Sequence, residues 1–338
     1  MRAPRVTVVM PVYNSRPTYF NKTFPALLGQ SFGDFELILS DNGSNDEARA
    51  LYERAAASDD RVRYLRHTHN YGAALNFNYA MAQARGEYFM WSADDDLRAQ
   101  DYLARTVERL DARRDAVTAG SRVALVDDDG ERLAAVRFDP AFELPRPSQR
   151  VPIRGPVTPG DYLDIYSLHR RSALARTHLN QAIHGADCLL VRELLLQGPI
   201  VRVDEELFFY RQPSSYTMAS LAAAMLGSQA IPTLFRYRGQ HLALQMLLAV
   251  ATNDVLIDDA ERRATLLALA RSLVQQRWLT DEPSNHFHTR AVESWRSGDY
   301  RGAAVAMIKA VALDPRKALD VELWQRAARR LAGITQRV

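Results

Sequence analysis

The chain has 338 residues, of which 47% are hydrophobic and 25% charged, with a formal net charge of +3. That is enough apolar material for one large domain or two of ordinary size, and it excludes a disordered or fibrous chain. The basic residues are almost all arginine, Lys22, Lys309 and Lys317 being the only lysines; arginine's planar fork suits phosphate, but no basic run interleaved with aromatics is present, which speaks against nucleic acid.

The first 125 or so residues alternate strand and helix signals. Arg5–Met10 is a continuous β-branched run, as expected of a strand covered on both faces, and Phe20–Leu28 follows as a helix. Phe35–Leu39 is a second strand, Asp46–Ala57 a helix, Val62–Arg66 a third strand and Gly72–Ala84 a helix. Glu87–Trp91 is a fourth strand, Asp101–Arg113 a helix, and Ala116–Val126 returns to strand. Repeated β-α-β units predict a mostly parallel sheet with helices on both faces, an α/β fold whose ligands bind beyond the carboxyl ends of the strands.

Further along, Asp127-Asp128-Asp129-Gly130 has the form of a hairpin turn rather than a metal site. Residues 139–160 are rich in proline and predict a loop, one that moves over a substrate being an open reading. Ala186–Leu196 reads as a helix ending at Gly198-Pro199, and Val201–Tyr210 as a strand. From about residue 217 the chain becomes rich in alanine and leucine, with breaks near Pro232, Pro283 and Pro315, so a boundary is placed near Pro213: a catalytic domain over 1–213 and an all-α region over 214–338. One faint helix-hairpin repeat at 284–315 is better read as part of a plain bundle, since such units need neighbours. The last helix, Leu319–Val338, carries an apolar stripe at Leu323, Ala327, Leu331 and Ile334; packing on the chain's own helices is favoured over an anionic membrane. No stretch approaches the roughly eighteen apolar residues of a membrane span, and the start has no apolar leader region. The expectation is a cytoplasmic protein, with peripheral contact at the inner membrane face and a homo-oligomer left open. The single cysteine, Cys188, makes no intrachain disulfide and reads as a buried small residue.

Three strand ends carry the chemistry. The first ends in Pro11-Val12-Tyr13-Asn14 and the second in Ser40-Asp41-Asn42-Gly43-Ser44. An Asp there can accept hydrogen bonds from a base or ribose, a Tyr offers a stacking face, and Gly43 permits a tight turn. The fourth ends in Asp94-Asp95-Asp96. Three adjacent carboxylates repel one another unless something positive sits among them, and their hard oxygens suit Mg2+ or Mn2+ shared with a diphosphate. The alternative is a solvated acidic loop at the head of the helix near Asp101.

With these pieces in place the chain resembles the family 2 glycosyltransferases of the GT-A fold. The matching stretches are VTVVMPVYN at 6–14, SDNGSND at 40–46, HNYGAALNFNYAMAQARGEYF at 69–89 and WSADDDLRAQDYL at 91–103. The resemblance implies an inverting transfer of a hexosyl unit from a nucleotide diphosphate sugar, with a divalent cation, to a hydroxyl of a glycan or lipid-linked acceptor in polysaccharide or glycolipid assembly. It implies that Pro11, Tyr13 and Asp41 hold the base, with Asn14 beside them, and that Asn70 and Asn76 run past the ribose and diphosphate. Asp94 and Asp96 have the D-x-D spacing for metal, while Asp95 and Asp96 match the paired acids in the register set by Asp101-Tyr102-Leu103, so Asp96 is favoured in both. The commoner pattern has a second Asp where this chain has Asn42. Asp187 matches the acid at the head of a later helix and is favoured as general base over a capping role, with His184 and His169 as rivals. Arg170, Arg171 and Arg211 face a choice between a bound anion and structural ion pairs, Glu205 or Glu206 being the candidate partners of Arg211. A sugar-phosphate nucleotidyltransferase would carry a glycine- and lysine-rich loop after the first strand, where this chain has PVYNSRP; a non-catalytic nucleotide-sugar binder is the other alternative.

Overall fold

In the computed structural model the apolar run near the N-terminus is strand β1 (Val6–Val12), buried along nearly its whole length. The described residues are 3–154, 157–181, 183, 185–212, 238–253 and 258–275. Helix α1 (Pro17–Leu28) starts on a proline, whose fixed φ and missing N–H suit a first turn, and buries Tyr19, Phe20, Phe24 and Leu27. Strand β2 (Phe35–Asp41) is buried throughout. Helix α2 (Asp46–Ala56) is capped by the Asn45 side chain, which accepts from the Ala48 N–H at 2.9 Å, and has Asp46 and Glu47 at its positive end. Then come β3 (Val62–Arg66), α3 (Ala73–Ala82), β4 (Tyr88–Trp91), a two-residue β5 (Leu97–Arg98) and α4 (Tyr102–Ala112), which buries Tyr102, Leu103, Thr106, Val107 and Leu110 at helical spacing.

The second half of the sheet comes from β6 (Thr118–Val126), β7 (Arg132–Ala135), β8 (Leu168–Arg170) and β9 (Ile200–Arg211). Short helices α5 (Pro147–Arg150) and α6 (Arg171–Leu174) and the longer α7 (Ala186–Gln197) lie between them. The nine strands run in the order β3-β2-β1-β4-β8-β6-β9-β5, with β7 on β6. Strands β1 to β4 are mutually parallel, β8 is antiparallel to both β4 and β6, and β6 is parallel to β9. This is the mixed, mostly parallel sheet expected. The carboxyl ends of β1, β2, β3 and β4 therefore share one edge.

The chain divides into two compact units, Met1–Arg150 with Val157–Leu234, and Val151–Pro156 with Phe235–Val338. Within the second, the described helices are α8 (Arg238–Ala251) and α9 (Asp259–Gln275). The boundary near Pro213, the 284–315 repeat and the Leu319–Val338 helix lie outside the described residues. Among those described, no helix is long and apolar enough to cross a membrane.

Two elements differ from expectation. Strand β8 sits mid-sheet although its three residues, Leu168-His169-Arg170, carry no apolar run; the side chains make it a strand, since His169 is buried with Nδ1 2.9 Å from Thr118 Oγ1 and Nε2 3.0 Å from the Ile165 carbonyl. The proline-rich stretch is a loop broken by short helical turns. Asp139 caps a single turn at Pro140–Glu143, and the buried Arg150 donates to the Leu195, Leu144 and Pro145 carbonyls. Prolines there fix φ for short turns that side chains then pin.

One glycine sets the crevice wall. Gly43 has φ +74°, and a Cβ on it would lie 2.5 Å from the His69 carbonyl carbon and 2.9 Å from the Asn70 nitrogen. The β2 end loop is thus packed directly on backbone that cannot swing aside. Gly43→Ala is expected to cost about 2 kcal/mol or more, from left-handed strain plus this clash; urea unfolding of the variant measures it, and an unchanged midpoint would contradict the close approach.

Candidate active site

At the edge where β1 to β4 end, the first two strand-end segments are sewn together. Asn14, in the left-handed region at φ 48°, accepts from the Asn45 N–H at 2.9 Å, and its own N–H donates to Ser44 Oγ at 2.9 Å. Tyr13 stands beside it, 49% exposed. Asn42 donates to Asn70 Oδ1 at 2.8 Å and accepts from the Tyr71 N–H at 3.0 Å. Asn70 itself is exposed. Pro11 is the last partly covered residue of β1, paired with Ser40.

Asp41 departs from its expected role. It has no exposed surface; Oδ1 accepts from the Ser44 N–H at 2.9 Å, and Oδ2 accepts from the Tyr64 hydroxyl at 2.7 Å and lies 3.2 Å from Arg66 Nε. An enclosed carboxylate with both oxygens engaged does not offer a hydrogen bond to a base. It braces the loop that would. Asn76 is likewise internal: it accepts from Ser40 Oγ at 2.6 Å and donates to the Ser40 carbonyl at 2.9 Å, fastening α3 to β2 rather than facing a ligand.

The three acids after β4 are crowded and poorly solvated. Burial raises the Asp94 carboxyl above the usual range, and burial together with the charges of Asp96 and Asp94 holds Asp95 well above it. Asp96 is pushed up to about 7 by burial, against the pull of the Arg98 and Arg211 charges. Its Oδ1 accepts from the Arg211 N–H at 2.8 Å, while Oδ2 is buried with no partner among the described residues. A buried carboxylate oxygen without a donor is costly, and the hard oxygens of these acids fit a Mg2+ or Mn2+ ion. Among the described residues no three acids, histidines or cysteines form a cage by themselves, so oxygens from a ligand would complete the shell. Asp94 and Asp95 are partly open to the crevice.

Two buried arginines face this cluster. Arg211, at the end of β9, donates to the Asp95, Asp127 and Asp128 carbonyls at 2.8, 2.7 and 2.6 Å and stacks 4.6 Å from the Tyr19 ring, leaving Nη2 without a partner among the described residues. It makes no ion pair with Glu205 or Glu206, which pair with Arg105 and Arg132. Arg98 lies between Tyr102 and Phe208, 3.5 Å from the latter's ring centre, with Nε and Nη1 unpartnered among the described residues. Arg170 and Arg171 take neither role foreseen for them: they donate to the Ala116, Leu110 and Gly86 carbonyls near the amino ends of β4 and β6.

Asp187 arrives at the same edge from the other half of the sheet. Helix α7 ends where Gly198 packs on the Asp115 carbonyl and Val117, at the amino end of β6. Twelve residues then carry its start about 18 Å along the sheet, to the carboxyl edge. Asp187 sits in the first turn after Gly185, φ 76°, and its Oδ1 accepts from the Cys188 N–H at 2.8 Å, so part of the capping role is present. Burial raises its carboxyl above the usual range, favouring a group that can take up a proton. A loop before it is tied to α3 by a reciprocal pair, Asn78 to the Asn180 carbonyl at 2.8 Å and the Asn180 N–H to Asn78 at 3.0 Å. His169 is no rival base: it has no exposed surface, both ring nitrogens are bonded, and burial lowers it to about 4. His184 lies outside the described residues. Cys188 is buried and its thiol is pushed up to about 12, as befits a core residue.

Sequence reasoning missed Ser15, Tyr52, Tyr64, Arg66 and Arg98. Arg98 alone left a trace, as a charge directly after three acids and before a buried helix. The phenols are legible only once α2 and β3 are placed in space.

The comparisons accord with this geometry. Residues 7–177 match the profile of Glycosyl transferase family 2. An uncharacterized glycosyltransferase of Haemophilus influenzae is 30% identical over 136 residues, 40% of this chain and 54% of that protein, so the chain spans about half that relative's length. S. aureus TarS 1–349 in complex with UDP-GlcNAc superposes with a TM-score of 0.58 at 15% identity over 91% of each chain. A mannosyltransferase of Pyrobaculum calidifontis in complex with GDP-Man and Mn2+ gives 0.51 at 17% identity over 94% of this chain and 88% of that one. At such identities the structures speak for the GT-A fold alone, and the profile match over half the chain places it in glycosyltransferase family 2.

Proposed function

We propose that this protein transfers a sugar, with inversion, from a nucleoside diphosphate sugar to a hydroxyl of a glycan or lipid-linked acceptor, using Mg2+ or Mn2+. What supports the reading is that Tyr13, Asn14, Asn70, Asp94 and Asp95 follow parallel strands whose carboxyl ends share one sheet edge, and that Asp187 lies in the first turn of α7, the helix that leads into β9. The donor-bound neighbours, one with UDP-GlcNAc and one with GDP-Man and Mn2+, support it as relatives in fold.

In this reading the exposed face of Tyr13 stacks on the base, while Asn14 and the Asn42–Asn70 pair line the path of the ribose. Asp41 holds that wall rigid from behind. Arg211, through its unpartnered Nη2, and Asp94 to Asp96 face the diphosphate end. A cation bound by Asp94 and Asp96, with Asp95 beside them, would supply positive charge to the leaving diphosphate. Asp187 takes the proton of the acceptor hydroxyl as its oxygen attacks the anomeric carbon, and the bond to the diphosphate breaks on the opposite face. A base with a carboxyl raised by burial holds that proton better than a solvated one.

Donor hydrolysis or transfer stimulated by Mn2+ is the first test. Asp187→Asn is expected to lower kcat about 100-fold or more, with nucleotide affinity retained; unchanged turnover would remove Asp187 from the role.

The acids also make the protein's stability depend on pH. Asp96 binds its proton up to about pH 7 when folded, against 3.8 for the free group. The folded state then holds more protons between those values, so the stability this contributes is full below 3.8 and lost as pH rises through about 7. Without cation, the melting temperature should fall from about pH 5 to about pH 8. Mn2+ should offset the fall, and Asp96→Asn, which keeps the acceptor for the Arg211 N–H, should flatten it. The same slope in the variant would show that Asp96 is not the source.

A further inference from the structure

The turn between β6 and β7 is closed from within. Asp127 Oδ1 accepts from the Asp129, Gly130 and Glu131 N–H groups at 3.0, 3.0 and 2.9 Å, and Gly130 supplies the left-handed residue at φ 96°. A hairpin turn at a surface leaves its outward carbonyls to water. Here the Asp127 and Asp128 carbonyls instead both accept from Nη1 of the buried Arg211, at 2.7 and 2.6 Å. The Tyr19 hydroxyl donates to the Asp128 carboxylate, and the Tyr19 ring lies 4.6 Å from the same guanidinium.

A guanidinium carries its N–H donors in one rigid plane. Nη1 spends its donors on the turn and Nε gives to the Asp95 carbonyl at 2.8 Å, so a single fork joins the turn to the loop of acids after β4. The main chain of the same residue completes the join, its N–H donating to Asp96 Oδ1 at 2.8 Å. That bond occupies one carboxylate oxygen and leaves the other, Oδ2, with no partner among the described residues. Pairing of β9 with β6, which sets Arg211 beside Val126, holds the Arg211 main chain but asks nothing of its side chain.

We propose that the Asp127–Gly130 turn is a positioning element that, through Arg211, holds Asp96 with Oδ2 presented to a divalent cation. This rests on the metal role given to Asp96 under the proposed function. It adds that cation affinity depends on a turn in a different part of the chain, and on the accepting oxygen of Asp127 rather than on its charge.

The test titrates Mn2+ into the full chain and follows the loss of the free-ion electron paramagnetic resonance signal. Wild type is compared with Asp96→Asn, Asp127→Ala, Asp127→Asn, Arg211→Lys and the Asp127→Ala/Arg211→Lys double variant. Asp127→Ala opens the turn and is expected to weaken Mn2+ about 10-fold, as loss of an orienting partner does. Asp127→Asn keeps an acceptor at Oδ1 and is expected to bind as wild type does. Arg211→Lys keeps the charge and the main-chain N–H but loses the fork, and should weaken Mn2+ about 10-fold as well. The double variant should be no weaker than the worse single one, because both break one connection. Should Asp127→Ala fail to fold, Arg211→Lys decides alone. A loss in Asp127→Asn equal to that in Asp127→Ala makes the Asp127 charge the cause and overturns the turn's role, as do losses that multiply in the double variant. Wild-type affinity in a folded Asp127→Ala or Arg211→Lys, with Asp96→Asn impaired, overturns the positioning role and spares the metal reading. Wild-type affinity in Asp96→Asn, or no binding by the wild type, overturns both.

Discussion

Carboxylates buried at the ends of apolar strands are the constraint on which the site depends. Strands β1, β2 and β4 are fully or almost fully buried, and each delivers polar residues to an edge where water is scarce. There Asp94, Asp95 and Asp96 would repel one another and lack solvation. The chain answers with the charges of Arg98 and Arg211 and with the Arg211 N–H. The answer is incomplete, since Asp96 Oδ2, Arg98 Nε and Nη1 and Arg211 Nη2 have no partner among the described residues. In the proposed reading, a cation and a diphosphate would supply the missing partners.

The sheet explains how distant stretches meet. Four parallel strands bring residues 13–14, 41–45, 67–72 and 92–96 to one edge without any long loop. The antiparallel β8 then turns the second half so that β6 runs with β4 and α7 returns its first turn to that edge. Buried ion pairs, Arg192 with Asp161 and Arg202 with Asp164, fasten the segment before β8 to α7 and β9. The acid at the head of α7 is thereby held by packed elements rather than by a free loop, as a group that must meet a reacting atom requires.

Much of this was legible in the residues. Continuous apolar runs marked β1, β2 and β4, because strands covered on both faces need no alternation, and the acids after them marked the edge. The hairpin at Asp127–Gly130 and the helix ending at Gly198-Pro199 were also plain. What stayed hidden has one physical cause: a polar residue's type does not say which neighbour takes its hydrogen bonds. Asp41 and Asn76 sit in the expected stretches, yet Tyr64, Arg66 and Ser40 engage them. Of the two readings open for Arg211, the ion pair with Glu205 or Glu206 is not formed, since its side chain donates to carbonyls on two other loops. Strand β8 is three residues held by His169, too short for any period to show.

The central claim is that one crevice binds a nucleoside diphosphate and a divalent cation together. Thermal denaturation with UDP, GDP, ADP and CDP, each with and without Mn2+, measures this directly, because a ligand bound only by the folded state raises the melting temperature. The account predicts that one nucleotide stabilises the protein well beyond the others, that Mn2+ enlarges the shift, and that Asp94→Asn abolishes the enlargement. No shift with any nucleotide in the presence of Mn2+, or a shift that Mn2+ and Asp94→Asn leave unchanged, would contradict it.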